Sequence, residues 1–323
     1  MPATTRTILI AGATGKQGGS VISALLSQAT TSSPPAQTFE ILALTRDPTS
    51  SSSQKLAKKS SPTTTIKLVQ GNLDNPSSIF SAAREATKNP VWGVFSVQAA
   101  IGSSTELEQG KGLVDAAKEA GVKFFVQASV DRGGDARSRQ NPTSIPHFHK
   151  KHDIEEHLRK VAGETKGQMT YSILRPVAFL DNLTPDLFGR VFATSFRDVL
   201  GGKNEKALQL VATSDIGFFA AQAFIKPDEW KGREMALAGD ELTYSEFAKI
   251  FREETGEDLK HTYSWLAGLI RWMIKDFGVM FTWFRDEGYG ADIKMLREMN
   301  PGLKDYRAWL REDSVWVKDS KTK

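Results

Sequence analysis

Residues 8–19 read Ile-Leu-Ile-Ala-Gly-Ala-Thr-Gly-Lys-Gln-Gly-Gly, an apolar run that enters a glycine-rich turn and leaves it with helical spacing. Gly12, Gly15 and Gly18 stand at three-residue intervals. In such a turn the first glycine lets the chain leave the strand sharply, and the second lets backbone N–H groups approach a pyrophosphate. The third lets the following helix pack closely on the sheet. Val21, Ala24 and Leu25 give that helix an apolar face, and its N-terminus offers unpaired N–H groups and a partial positive charge to phosphates. A dinucleotide site is therefore expected at Gly12, Thr14, Gly15, Lys16, Gln17 and Gly18.

The kind of dinucleotide is read at the end of the next strand. Phe39–Thr45 is a second apolar run, and Arg46 follows it. An acidic residue at this point takes the ribose hydroxyls of NAD, whereas an arginine accommodates the 2′-phosphate of NADP. Asp47 comes next and could serve the hydroxyls, so NADP(H) is the preferred cofactor and NAD stays open. Lys55 offers a second charge in the loop beyond.

Composition narrows the classes. The 323 residues suffice for a large core, and 40% hydrophobic with 25% charged residues is ordinary for a globular chain. A net charge of +4, with acids and bases interspersed, gives no nucleic-acid footprint. The absence of cysteine removes disulfides, thiol catalysis and thiolate metal sites together. The N-terminus lacks the pattern of a secretion signal. The greasiest stretch, 266–280, is broken by Arg271, Lys275 and Asp276, so no membrane span is expected. These features predict a cytoplasmic, or nucleocytoplasmic, protein.

Short apolar strands alternate with helical patterns through the first half. Strands are expected at Thr7–Ala11, Phe39–Thr45, Ile66–Gln70, Val91–Ser96, Phe124–Ala128 and Thr170–Leu174. Helices are expected at Gly18–Gln28, Pro76–Thr87, Thr105–Ala120 and His149–Val161. That alternation predicts an α/β fold, a doubly wound and mainly parallel sheet covered on both faces. Two Ser/Thr-rich inserts, Thr30–Pro35 and Pro48–Thr65, read as mobile loops beside the second strand. Further on, Thr213–Phe224 and Thr243–Thr255 read as helices and Glu234–Leu237 as a strand. Residues 264–310 are helical and rich in Trp and Phe, a stripe that reads first as core, then as a substrate pocket or dimer surface.

With these residues in place, the chain resembles the NmrA-like family, atypical members of the short-chain dehydrogenase/reductase superfamily. Residues 12–18 look like the family's nucleotide turn, and Leu-Thr-Arg-Asp-Pro at 44–48 like its second-strand exit. Gly-Asn-Leu-Asp at 71–74, ending in Asp74, is similar to the segment that approaches the adenine. Pro-His-Phe-His-Lys-Lys-His-Asp-Ile-Glu-Glu at 146–156, Leu-Arg-Pro-Val-Ala-Phe-Leu-Asp-Asn at 174–182 and Asp-Ile-Gly at 215–217 resemble three further motifs. The resemblance implies a Rossmann-type NADP(H) domain over residues 1–180, with segments returning at about 206–240. A smaller, partly helical domain for substrate or partner would take 181–205 and 241–323.

The superfamily's usual hydride-transfer site has a tyrosine and, four residues later on one helix, a lysine that contacts the nicotinamide ribose, with a serine nearby. The motif matches Lys151, and the position four earlier is His147 rather than tyrosine. Ser129 matches the serine. His147 could act as general acid, since histidine titrates near neutral pH, or it could be structural or touch substrate. Lys150 is a rival for the role of Lys151. Gln98 falls where such folds approach the nicotinamide, and Phe179, with Asn182 beside Asp181, falls at the expected pocket. His147, His149, His152 and His157 are clustered, but the spacing lacks His-Glu-x-x-His, and no metal is expected.

Two functions stay open. One is an NADPH-dependent reductase acting on a bulky carbonyl, imine or enone, with non-redox isomerisation over a bound nucleotide as its variant. The other is a nucleotide-state sensor that binds a regulatory protein partner without turnover. The substrate, the partner and the oligomeric state are not written in the sequence.

Overall fold

The computed structural model describes residues 4–28, 37–98 and 104–318. The strands, in chain order, are β1 (Thr4–Ile10), β2 (Gln37–Thr45), β3 (Thr64–Gln70), β4 (Val91–Ser96), β5 (Phe124–Ala128) and β6 (Thr170–Pro176). They continue with β7 (Ala178–Phe179), β8 (Leu208–Val211), β9 (Arg233–Leu237) and β10 (Asp240–Leu242). Seven form one sheet in the order β3-β2-β1-β4-β5-β6-β9, and the pairings from β3 to β6 are all parallel. The order reverses between β1 and β4, the switch point at which a doubly wound sheet opens a crevice beyond the strands' carboxyl ends.

The chain divides into two compact units. The first comprises Met1–Ser129, Lys150–Leu174 and Ile216–Glu234; the second comprises Val130–His149, Arg175–Asp215 and Met235–Lys323. Residues 130–149 and 175–180 thus count with the second unit, ahead of the boundary drawn at 180 from sequence.

The first unit's core holds Leu9, Leu42, Val69, Ile79, Phe80, Val94, Leu113, Val114, Phe125, Leu158 and Ile173, all buried. The parallel strands are near-continuous apolar runs because both faces of the sheet are covered. Across this unit the Arg6 guanidinium stacks 4.5 Å from the Trp92 ring. It also donates to Phe224 O at 2.6 Å, in the last turn of the Thr213–Ile225 helix, where a cation meets unpaired carbonyls. Gly217 lets this helix touch the Lys16–Gln28 helix, since a Cβ there would lie 2.8 Å from Ser20 Cβ.

The Pro48–Thr65 insert departs from expectation. Within it Ser51–Ala57 is a helix, and β3 already begins at Thr64. Its first serines bond the local backbone, with Asp47 just before it, rather than acting as spacers. Ser50 Oγ accepts from Ser53 N at 3.3 Å, and the buried Ser53 hydroxyl donates to Asp47 O at 2.9 Å. The other insert, Thr30–Pro35, lies outside the described residues.

In the second unit, β10, β8 and β7 make a small sheet. The helix Leu187–Leu200 begins at Asp186, whose carboxylate accepts from Gly189 N at 3.2 Å. The aromatic stripe of the C-terminal half is divided between core and surface. Phe277, Phe281, Trp283, Phe284 and Trp309 are buried in one cluster with Phe192, Phe196 and Phe247, whereas Trp265 and Trp272 are 68% and 80% exposed. Among the described residues no helix is long and apolar enough to cross a membrane.

Asp215 ties the C-terminal segment into this unit. Its carboxylate, 3% exposed, accepts from Lys304 N at 3.1 Å and Asn300 Nδ2 at 3.3 Å. Burial outweighs those bonds and pushes its pKa up to about 7. The folded state therefore holds a proton that the unfolded chain has released, and stability from this group declines as pH rises from about 4 to about 7. Asp215→Asn is expected to gain on the native protein across that interval. Its melting temperature relative to wild type should be higher at pH 8 than at pH 5, with no further change above pH 8. A difference that did not vary with pH would contradict the assignment.

Candidate nucleotide and active site

The glycine turn follows β1 directly, and the helix Lys16–Gln28 leaves it. Gly12 has φ +61°, a left-handed conformation that disfavours a side chain, and a Cβ there would lie 2.9 Å from Val97 Cγ1. That contact joins the exits of β1 and β4 at the switch point. Gly15 N donates to Gly12 O at 2.8 Å and closes the turn. At Gly18 a Cβ would lie 2.6 Å from Gly12 C and 2.8 Å from Ala11 O, both backbone atoms that cannot swing aside. Gly12, Thr14, Gly15 and Lys16 are exposed, while Ala13 is buried beneath them. In the first helical turn the Gln17 Oε1 atom is buried with no hydrogen-bond partner. A backbone cradle that side chains would fill and a helix N-terminus together fit the pyrophosphate end of a dinucleotide.

At the end of β2, Arg46 is exposed. Asp47 beside it commits one carboxylate oxygen to its own turn. Its Oδ1 accepts from Thr49 N at 2.8 Å and from Thr49 Oγ1 at 2.6 Å, bonds that also hold its pKa below the usual carboxylate value. Lys55 is exposed on the Ser51–Ala57 helix. Asp74, also exposed, accepts from Asn72 Nδ2 and Gln109 Nε2, each at 2.7 Å.

Beyond β4 and β5 the first unit carries a buried polar network. Gln98 donates through Nε2 to Ser96 Oγ at 2.7 Å, and its Oε1 accepts from Gln127 Nε2 and Lys151 Nζ, both at 3.2 Å. The Gln98 side chain is therefore locked in orientation. Lys151 Nζ lies 3.2 Å from Glu106 Oε1, with side-chain exposures of 4% and 1%. Burial lowers the Lys151 pKa, and the charges of Glu106 and Glu155 oppose that fall. Lys150 is only half-buried, so of the two neighbouring lysines Lys151 is the one in the network.

Ser129 follows β5, and its hydroxyl donates to the buried Glu155, one helical turn after Lys151. Glu155 in turn lies 3.0 Å from Arg159, which also reaches Glu234 at 2.7 Å and contacts Glu156. The structure thus brings together Gln98, Lys151 and, through the next turn of the same helix, Ser129.

His147 stands at the second position of that helix, Pro146–Glu164, four residues before Lys151. It is 8% exposed, with its ring centroid 5.9 Å from that of Phe148. His147, Phe179 and Asn182 belong to the second unit. Phe179 is half-buried and pairs with Val211 across β7 and β8, and Asn182 ends a short 3-10 turn. Asp181 beside it accepts from Thr213 N at 2.9 Å and Thr213 Oγ1 at 2.7 Å, capping the Thr213–Ile225 helix. Of the other histidines, His157 meets Asp115 at 2.7 Å and His152 lies 3.6 Å from Asp153. No group of three or more His, Asp or Glu among the described residues is placed to hold a metal.

Sequence reading passed over Glu106 and Glu155, because glutamates on amphipathic helices are normally solvated. The signal was in the spacing. Glu106 shares a stripe with Gly110, Leu113, Val114 and Ala117, and Lys151 and Glu155 share one with Ile154 and Leu158, all of them buried. A charge on the apolar stripe marks a buried pair.

The model of the NmrA-like family matches residues 4–302. The NmrA-like family domain-containing oxidoreductase hkm9 of Aspergillus hancockii is 31% identical over 275 residues, covering 80% of this chain and 75% of that protein. Among solved structures, the triphenylmethane reductase of Citrobacter sp. complexed with NADP(H) superposes with a TM-score of 0.68 at 17% identity. That match covers 98% of this chain and 99% of the reductase. NmrA, a negative transcriptional regulator in complex with NAD, superposes with a TM-score of 0.70 at 16% identity, covering 98% and 97%. At such identities the two neighbours establish the fold, and since one is a reductase and the other a regulator, the fold does not choose between those roles. The family match over nearly the whole chain, the relative above 30% identity and the glycine turn at the switch point agree: the chain belongs to the NmrA-like family.

Proposed function

We propose that this protein is an NADP(H)-dependent oxidoreductase acting on a bulky, apolar small molecule. The observation that carries the reading is the end of β2, where the Arg46 guanidinium is exposed and Asp47 beside it has its Oδ1 engaged by Thr49. The glycine cradle fits the pyrophosphate, and Arg46 fits a 2′-phosphate through paired N–H donors. Relatives named as oxidoreductases and a neighbour complexed with NADP(H) support the same reading.

When bound, the nicotinamide ring supplies or accepts the hydride. Lys151 would hold the nucleotide's ribose through its ammonium group. His147, on the same helix and almost fully buried, holds the proton at a ring nitrogen and gives it to the oxygen or nitrogen of the reduced substrate. Ser129, fixed by Glu155, presents its oxygen lone pairs as an acceptor. The departure from tyrosine at His147 also suits a second reading, a nucleotide sensor with a protein partner and no turnover.

The deciding assay follows NADPH consumption at 340 nm across hydrophobic carbonyl, imine and enone compounds. With a substrate in hand, His147→Ala and Lys151→Ala are each expected to lower kcat/KM tenfold or more. Only the lysine variant should weaken NADPH binding as well. Unchanged turnover in both variants would remove the proposed catalytic roles.

A further inference from the structure

Two opposite charges face each other almost out of reach of water in the first unit. Lys151 and Glu106 are 3.2 Å apart, on the Pro146–Glu164 and Glu106–Glu119 helices. A buried ion pair costs desolvation that its attraction seldom exceeds, so packing alone gives little reason to keep one. The other groups facing the ammonium leave the task to Glu106. Gln98 Oε1, at 3.2 Å, is neutral and shares itself with Gln127. Glu155 acts on Lys151 only through its field, and that field is offset by Arg159, which also engages Glu156 and Glu234. On the lysine's own helix His147, His149, Lys150 and His152 supply no negative charge, and Asp153 lies 3.6 Å from His152.

We propose that Glu106 is a positioning residue that keeps Lys151 charged and directed at the nucleotide, so that NADP(H) affinity at alkaline pH depends on Glu106. This rests on the reading that Lys151 contacts the nucleotide. Burial already draws the lysine's pKa down, and the Glu106 carboxylate at 3.2 Å opposes that fall most strongly. Without that carboxylate the desolvation is opposed only by the field of Glu155, which Arg159 offsets. The ammonium then loses its proton at lower pH, and a neutral amine offers a ribose or phosphate far less.

The test is NADPH affinity by calorimetry from pH 7.0 to 9.5, a range over which the 2′-phosphate keeps its charge because its second pKa is about 6. Wild type, Glu106→Gln, Glu106→Asp and Lys151→Met are compared, each checked for native circular dichroism. Glu106→Gln is expected within about threefold of wild type at pH 7.0 and at least tenfold weaker, relative to wild type, at pH 9.5. Glu106→Asp should fall between the two. A Glu106→Gln profile parallel to wild type at every pH would overturn the proposal. If that variant does not fold, Glu106→Asp decides. Its loss of affinity must begin at least half a pH unit below wild type, and an unmoved profile overturns the proposal. Lys151→Met with wild-type affinity throughout would instead remove Lys151 from the nucleotide site, and this inference with it.

Discussion

Gly18→Ala is expected to weaken NADPH binding by 100-fold or more, about 2.7 kcal/mol, and to lower the melting temperature. The methyl group has nowhere to go. It would stand 2.6 Å from Gly12 C and 2.8 Å from Ala11 O, so either the Lys16–Gln28 helix moves off the sheet or the turn deforms. A well-packed site answers an inserted methyl with shifts that cost about 1–3 kcal/mol. Here the shift falls on the segment whose N–H groups are aimed at the pyrophosphate. Gly19→Ala is the control one residue on, since a Cβ there makes an ordinary contact of 3.5 Å with Ala13 O. Calorimetry should find Gly19→Ala near wild type. Equal losses in both variants would mean that general destabilisation, not the close approach at Gly18, governs binding.

Arg46→Ala is expected to reduce NADPH and NADP⁺ affinity about 10- to 100-fold and leave NADH within twofold. A hydrogen bond to a charged group is worth about 1.5–3 kcal/mol, and a guanidinium facing a phosphate offers paired bonds. Asp47 Oδ1 is already held by Thr49, so the variant should lose phosphate preference with little gain in ribose affinity. The deficit should shrink at 0.5 M salt, as screening weakens an exposed contact. Parallel losses for NADPH and NADH would make Arg46 a structural residue.

The sheet was legible because its seven expected strands, Glu234–Leu237 among them, are apolar runs bounded by turn residues, and all seven occur with ends shifted by no more than about three residues. β7, β8 and β10 were not, since strands as short as Ala178–Phe179 and Asp240–Leu242 have no period to read. The Leu187–Leu200 helix was passed over although Asp186 caps it, since Gly189 and Thr194 break the run of strong helix formers. Pro48–Thr65 misled for the opposite reason. Its serines look like linker composition, but Ser50 and Ser53 bond the local backbone.

The candidate site was legible where chemistry depends on backbone shape and obscure where it depends on burial. Gly12 and Gly18 announce their roles because no other residue fits. Lys151 came from motif resemblance, and only the structure separated it from Lys150. Glu106 and Glu155 carry the same letter as the exposed Glu156, and their roles come from tertiary neighbours. The aromatic half divides likewise. Phe281 and Trp283 are core, but Trp265 and Trp272, in the same run of sequence, are exposed. Helical spacing alone does not say which face of a stripe finds a neighbour.

The most direct test of the central claim is calorimetric titration of nucleotide-stripped protein with NADPH, NADP⁺, NADH and NAD⁺. The account predicts binding of both phosphorylated nucleotides at least tenfold tighter than their NAD counterparts, about 1.4 kcal/mol. Binding of none of the four, or tighter binding of NADH and NAD⁺, would contradict it.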